Sequence, residues 1–304
     1  MRSKNARGAL LCVLGGACWG MSGTMGQYLF DVQGMDSRWL VPIRLGLAGI
    51  ILLIYSMIRW KKQTLGPWST KGSIRELLIY GIMGVSFCQF FYFLTIQLSS
   101  AAASTILQDL SPIFILAYSC LRGHRKPEVY EVVSIVFALT GIFLLTTHGD
   151  IEHMAISGQA LLCGIVCAVC VMIYNVAPEN LMKHYPVPML QGWAFLMGGI
   201  FFTLVFRPWT FGYVPNGMGI FGILFVVVVG NVIAFVSYMK GVRLIGPEKG
   251  ILYGFAEPVT AAILSITLFH NPFTWWDFSG FVFVFLMLVL ISAGGRREKA
   301  AATA

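Results

Sequence analysis

Residues 92–112 read YFLTIQLSSAAASTILQDLSP, and residues 238–258 read YMKGVRLIGPEKGILYGFAEP. They open a pairing that lays residues 92–149 over 238–295 without a gap, at a constant offset of 146. Leu98 falls on Leu244, Pro112 on Pro258 and Gly149 on Gly295. One hydrophobic unit has been used twice. If that unit crosses a bilayer an odd number of times, its second copy sits upside down relative to the first. Inverted repeats of this kind are the architecture of alternating-access carriers.

The rest of the chain agrees with a membrane setting. Mean hydropathy is +0.78. Hydrophobic residues make up 57% and charged residues only 11%, against roughly 25% charged in soluble chains. Apolar runs near the length needed to cross a bilayer recur at about 8–30, 38–60, 74–98, 101–121, 128–147, 156–181, 186–206, 217–240, 248–269 and 274–293. The expected fold is therefore an all-α integral membrane protein of ten transmembrane helices, arranged as two inverted five-helix repeats over residues 1–150 and 151–304. The first run is read as a span and not a cleaved leader, because it continues through Trp19, Ser22 and Gln27 without a cleavage region.

Charge tests the layout independently. With Arg2, Lys4 and Arg7 placed in the cytoplasm, alternation leaves only Arg38 and Arg207 outside and Arg44 within a span. The other Lys and Arg, 18 of 21, fall on the inner side, as the positive-inside rule requires. Both termini are then cytoplasmic and the expected location is the inner (cytoplasmic) membrane. The net charge of +8 reports topology. Spread over short loops, it argues against a nucleic-acid partner. Lys240, Arg243 and Lys249 are accounted for in the same way.

His148, Asp150, Glu152 and His153 cluster near the junction at 147–155. An exposed hydrophilic hinge is favoured there over a metal site. All seven cysteines lie inside spans; Cys163, Cys167, Cys170 and Tyr174 form one helical stripe, read as a helix contact. Gly16, Gly20 and Gly23 are expected to let helices approach closely. No cofactor is expected.

Further fragments occur in a fixed order: Trp19-Gly20, Arg44, Tyr92 through Ser99-Ser100-Ala101-Ala102, and Ser111-Pro112-Ile113-Phe114. The second half adds Gly246-Pro247-Glu248-Lys249 and Ala256-Glu257-Pro258-Val259-Thr260-Ala261. In these the chain resembles the EamA-type branch of the drug/metabolite transporter superfamily. The resemblance implies a ten-helix carrier of small organic solutes, with a central cavity lined by spans 1, 3, 4, 6, 8 and 9.

The polar residues inside the spans supply the candidate site. Glu257 lies roughly 10–15 Å deep at about 1.5 Å per residue, beside Pro258 and one turn from Tyr253. An ionisable group there faces the bundle interior or a wet cavity. It either contacts a substrate amine or carries a proton, or it ties down a neighbouring helix. The offset maps Glu257 onto Ser111 and Asp109 onto Phe255. On a helix 109 and 111 point about 200° apart, so Ser104, Gln108 and Ser111 are expected to face the cavity and Asp109 to look elsewhere. Asp109 and Arg44 reach similar depths, about 10–12 Å, and are read as a structural ion pair. Trp19 is too deep for an interfacial anchor and is placed in the cavity wall. Gln89, Tyr92, Tyr174, Asn175, Asn231 and Tyr238 offer further hydrogen bonds to a substrate or between helices.

Gly20-Met21-Ser22-Gly23 spells the GxSG of rhomboid-like intramembrane proteases. All five histidines lie in loops or at span ends, away from Ser22, so the serine lacks a base. A channel is the closer rival; the inverted duplication with paired prolines favours a carrier. The expected partners are surrounding lipid and a small-molecule substrate, with amino acid or amine export preferred. Lipophilic cationic drugs are the alternative, weakened because the small multidrug transporters of the superfamily the chain resembles rely on an acid in the first span, and this span has none. Proton coupling through Glu257 and assembly as a homodimer are compatible with this reading.

Overall fold

The computed structural model describes residues 2–123, 126–148, 156–245, 250, 253–270 and 272–302. The motif at 246–249, His124, Arg125, Asn271, and Asp150, Glu152 and His153 of the expected hinge lie outside the described residues. Among the described residues the chain forms ten long helices, the number expected. These are α1 (Arg2–Asp31), α2 (Ser37–Trp60), α3 (Lys71–Leu98), α4 (Ala101–Gly123), α5 (Val129–Thr147), α6 (Gly158–Val176), α7 (Val187–Phe206), α8 (residues 217–245), α9 (Ala256–Phe269) and α10 (Trp275–Ala302). Seven carry apolar stretches long enough to cross a bilayer; the apolar parts of α5, α9 and α10 are shorter. Several starts are fixed by side-chain caps: Asp36 on α2, Ser100 on α4, Ser157 on α6 and Asn216 on α8 each accept from a backbone N–H of the first turn.

Packing inverts the soluble pattern. Ile54, Ile58, Leu139, Leu162 and Leu204 are exposed on the outside, whereas Gln27, Arg44, Gln191, Asn231 and Glu257 are buried within the bundle. Such a surface suits lipid, and the polar groups have only one another to satisfy them.

Helix pairing shows how the halves relate. α1 packs on α8 as α6 packs on α3, and α1 on α9 as α6 on α4. The equivalent helices α2 and α7, α4 and α9, and α5 and α10 pack on each other. Along the α2/α7 contact Gly46 meets Gly199, Gly49 meets Leu196 and Leu53 meets Gly192, so the two helices run antiparallel. Along α5/α10, Gly141 meets Val284 and Leu145 meets Gly280, again antiparallel. Equivalent helices crossing in opposite directions are what an inverted repeat requires. The approach is close: a Cβ on Gly199 would stand 2.5 Å from the Gly46 nitrogen, so only glycine permits it.

A second device repeats. Ile79–Ser86 of α3 and Val226–Ile233 of α8 are π-helical, at equivalent places to within one residue of the 146 offset. Wide turns of this type rotate the residues that follow and are frequent at functional sites. Here they lead into Gln89 and Tyr92 in α3 and carry Gly230 and Asn231 in α8.

Candidate functional site

Two helix breaks face each other at the centre. α4 runs to Gln108, turns through Asp109 and Leu110, and resumes at Ser111 with Pro112 in its new first turn. Pro112 has no N–H to donate, and its ring would strike the carbonyl four residues back, so the helix cannot run through. In the second half Tyr253 and Gly254 are helical, Phe255 turns, and α9 starts at Ala256 with Pro258 in its first turn. The prolines stand where proline is tolerated, at the start of the resumed segment.

Between the breaks lies a cavity of about 180 Å³. Trp19 of α1, Gln89 and Tyr92 of α3, Gln108 and Ser111 of α4, Tyr174 and Asn175 of α6, Asn231 of α8 and Glu257 of α9 all line it. Those are the helices expected. α2 adds Arg44, α7 adds Gln191 and Phe195, and α10 adds Leu288. The Trp19 and Tyr238 rings, 4.9 Å apart, form an aromatic wall.

Glu257 is 8% exposed, and its Oε1 accepts from the Tyr92 hydroxyl at 3.2 Å. Tyr92 is itself positioned, because its backbone carbonyl accepts from Ser104 Oγ at 2.8 Å. Ser104, expected to face the cavity, is not in its lining; it is buried behind Tyr92 and braces it. The glycines of α1 fix the acid from the other side. A Cβ on Gly20 would stand 2.5 Å from the Glu257 carbonyl oxygen, and one on Gly16 2.7 Å from the Gly254 carbonyl. α1 therefore rides directly on the break in α9.

Arg44 is 2% exposed. Its Nη2 donates to Gln89 Oε1 at 2.9 Å and to Asn231 Oδ1, and its Cζ lies 3.9 Å from the centre of the Phe93 ring. Nε and Nη1 have no partner, and neither do Asp109 Oδ2 and Asn231 Nδ2. Beside them Cys88 and Cys167 bring their sulfurs to 3.8 Å and both face Gln108 Oε1, at 3.9 and 3.7 Å.

Three further expectations require correction. The Arg44–Asp109 ion pair is not formed: Arg44 turns instead to the amides of Gln89 and Asn231. Asp109 does not look away from the cavity but lines it with Glu257, because the turn at 109–110 voids the angle counted along a continuous helix. Tyr253 is 41% exposed and outside the lining, because the Phe255 turn breaks the register that would have stacked it on Glu257. Gln191 and Phe195 were not anticipated; a lone glutamine in the apolar run of α7 was the available signal. Among the described residues no three His, Cys, Asp or Glu gather into a metal site, and His148 instead pairs with Asp277 at 2.8 Å.

Known proteins carry the same pattern. The EamA-like transporter family model matches residues 6–147 and again 158–293. The chain is 33% identical over 296 residues to YicL of Salmonella typhimurium, named an uncharacterized inner membrane transporter, covering 97% of this chain and 98% of that one. It is 23% identical over 306 residues to the transporter YrdR of Bacillus subtilis, covering 96% and 92%. It is 24% identical over 270 residues to the inner membrane transporter YedA of Escherichia coli, covering 86% and 84%. One solved crystal structure superimposes with a TM-score of 0.66 over 98% of this chain and 99% of its own, at 16% identity, a likeness of fold alone. Matched across both halves, and built as a membrane bundle around one central cavity, the chain belongs to the EamA-like transporter family.

Proposed function

We propose that the protein is an alternating-access carrier of small polar organic metabolites that bear an amino group, an amino acid or amine exporter. The observation that carries this reading is Glu257. It is a buried acid on a helix break, hydrogen-bonded across the interface between the halves to Tyr92. A carboxylate so placed attracts an ammonium, and the Trp19–Tyr238 wall adds cation–π attraction. The two inverted halves, 1–150 and 151–304, rock around the cavity and open it to each side in turn. The inner membrane is the proposed location, supported by the names of the S. typhimurium and E. coli relatives. Cytoplasmic termini rest on the distribution of Lys and Arg.

The test is flux in proteoliposomes holding the purified protein, with amino acids and amines as substrates. Saturation and counterflow are expected, together with loss of transport in Glu257→Gln. Flux linear in concentration without counterflow would establish a channel instead. Single cysteines at Ser99 and Lys126 check the topology: an impermeant thiol reagent added outside intact cells should reach the first and spare the second.

A further inference from the structure

Resting on that reading, we infer that Arg44 is the anion subsite of the same cavity and selects substrates that carry a carboxylate as well as an ammonium. A guanidinium out of water is expensive unless its donors are met, and here two of its three nitrogens are unpartnered. The acids of the cavity are not used to satisfy it, since Arg44 forms no ion pair with Asp109 or Glu257. The protein instead holds Arg44 by Nη2 alone, between Gln89 Oε1 and Asn231 Oδ1, with Phe93 behind it. Asn231 is turned so that its oxygen faces the cation and its Nδ2, also unpartnered, is left as one more donor.

Opposite charges lining one cavity without neutralising each other match a ligand with the complementary pair. The inferred ligand sets its carboxylate against the guanidinium of Arg44 and its ammonium against the carboxylates of Glu257 and Asp109, all of which line the cavity. Charge-assisted hydrogen bonds of this type are about twice as strong as neutral ones. Among the described residues Arg44 is the sole Lys or Arg in the lining, set against two acids, so the balance suits a singly charged carboxylate and opposes a phosphate dianion. A cavity of about 180 Å³ has room for a small solute.

The experiment measures binding by thermal shift of the purified protein. The probes are the standard L-amino acids, each beside the amine that lacks its carboxylate and the acid that lacks its amino group. At least one amino acid should bind roughly ten- to a hundredfold more tightly than its amine, the worth of one charge-assisted contact. Arg44→Gln should bring that amino acid down to the affinity of its amine, and Arg44→Lys should recover part of the difference. The Lys variant keeps a buried cation, so its ligand-free melting separates a lost contact from a lost fold. Amines that bind as tightly as their amino acids overturn the inference and leave the proposed function standing. So does an Arg44→Gln that weakens amine and amino acid alike. Acids that bind through Arg44 while nothing with an amino group binds keep the subsite and overturn the amine reading. Silence from the whole panel overturns both.

Discussion

The break at Asp109–Pro112 and the break at Phe255–Pro258 occupy equivalent places in the two halves, yet they deliver different chemistry. In the first, the acid stands three residues before the proline and a serine one before it. In the second, the acid takes the serine's place, and Phe255, the counterpart of Asp109, packs 5.1 Å from Phe285 in an apolar cluster. The backbone device has been kept and its side chains have diverged. Both acids nevertheless reach one cavity. Charge that is asymmetric along the chain becomes shared in space, because each turn frees its neighbours from helical register.

Mutation tests whether the two breaks are equivalent. The largest effect is expected at the acids. Glu257→Gln should lower transport by roughly tenfold or more, the loss of one charge-assisted contact of about 1.5–3 kcal/mol. Asp109→Asn should follow with a smaller loss, because Asp109 Oδ2 has no partner to pre-position it. A silent Asp109→Asn in a flux assay would make the breaks functionally unequal. Exchange sharpens the point: Ser111→Glu combined with Glu257→Ser should transport better than Glu257→Ser alone, since position 111 lines the same cavity. If the double variant is no better, spatial symmetry is not functional symmetry.

Next come the prolines. Pro112→Ala and Pro258→Ala each let a helix run through its turn. Each should change folding stability by no more than about 1 kcal/mol, because proline is tolerated in the first turn of the resumed segment, while lowering transport. Opposite signs for the two would show that the breaks are held open by different forces.

The smallest effect belongs to a control remote from both. Asp36 caps α2 in the loop before it, accepting from the Arg38 backbone N–H at 2.7 Å. Burial pushes this carboxyl up, but the hydrogen bonds and charge of Arg38 outweigh it and leave Asp36 below the usual carboxylate range. A depressed group contributes stability above its unfolded value and loses it as pH falls through the folded one. Asp36→Ala should therefore cost about 1 kcal/mol or less near neutral pH, and progressively less on acidification below about pH 4. Transport should be unchanged.

Much of this was legible beforehand. The 146 offset, the paired prolines and the bias of Lys and Arg carried the ten helices and their pairing across the two halves. Glu257, Tyr92, Gln108 and Asn231 were found because a polar residue deep in an apolar span has few places to go. The misreadings share one cause. Asp109 and Tyr253 were assigned by helical angle across residues that turn out to be turns, and a helical wheel has no meaning there. The partners of Arg44 were hidden for a different reason: Gln89 and Asn231 come from α3 and α8, and hydrogen bonds between distant helices leave no periodicity along the chain. The π-helical segments were equally silent, since one wide turn in a uniformly apolar run changes no pattern.

The unneutralised charges of the cavity also have an electrical consequence. A free amine leaving the cell moves a positive charge against a negative-inside potential, at about 2.3 kcal/mol per 100 mV. A zwitterion that offers its carboxylate to Arg44 as it offers its ammonium to Glu257 has no net charge to move. When no ion accompanies it, a voltage imposed on proteoliposomes should leave its steady distribution unchanged and shift that of its amine. Requiring both charges would then do more than choose the solute: it would uncouple export from the membrane potential that opposes it.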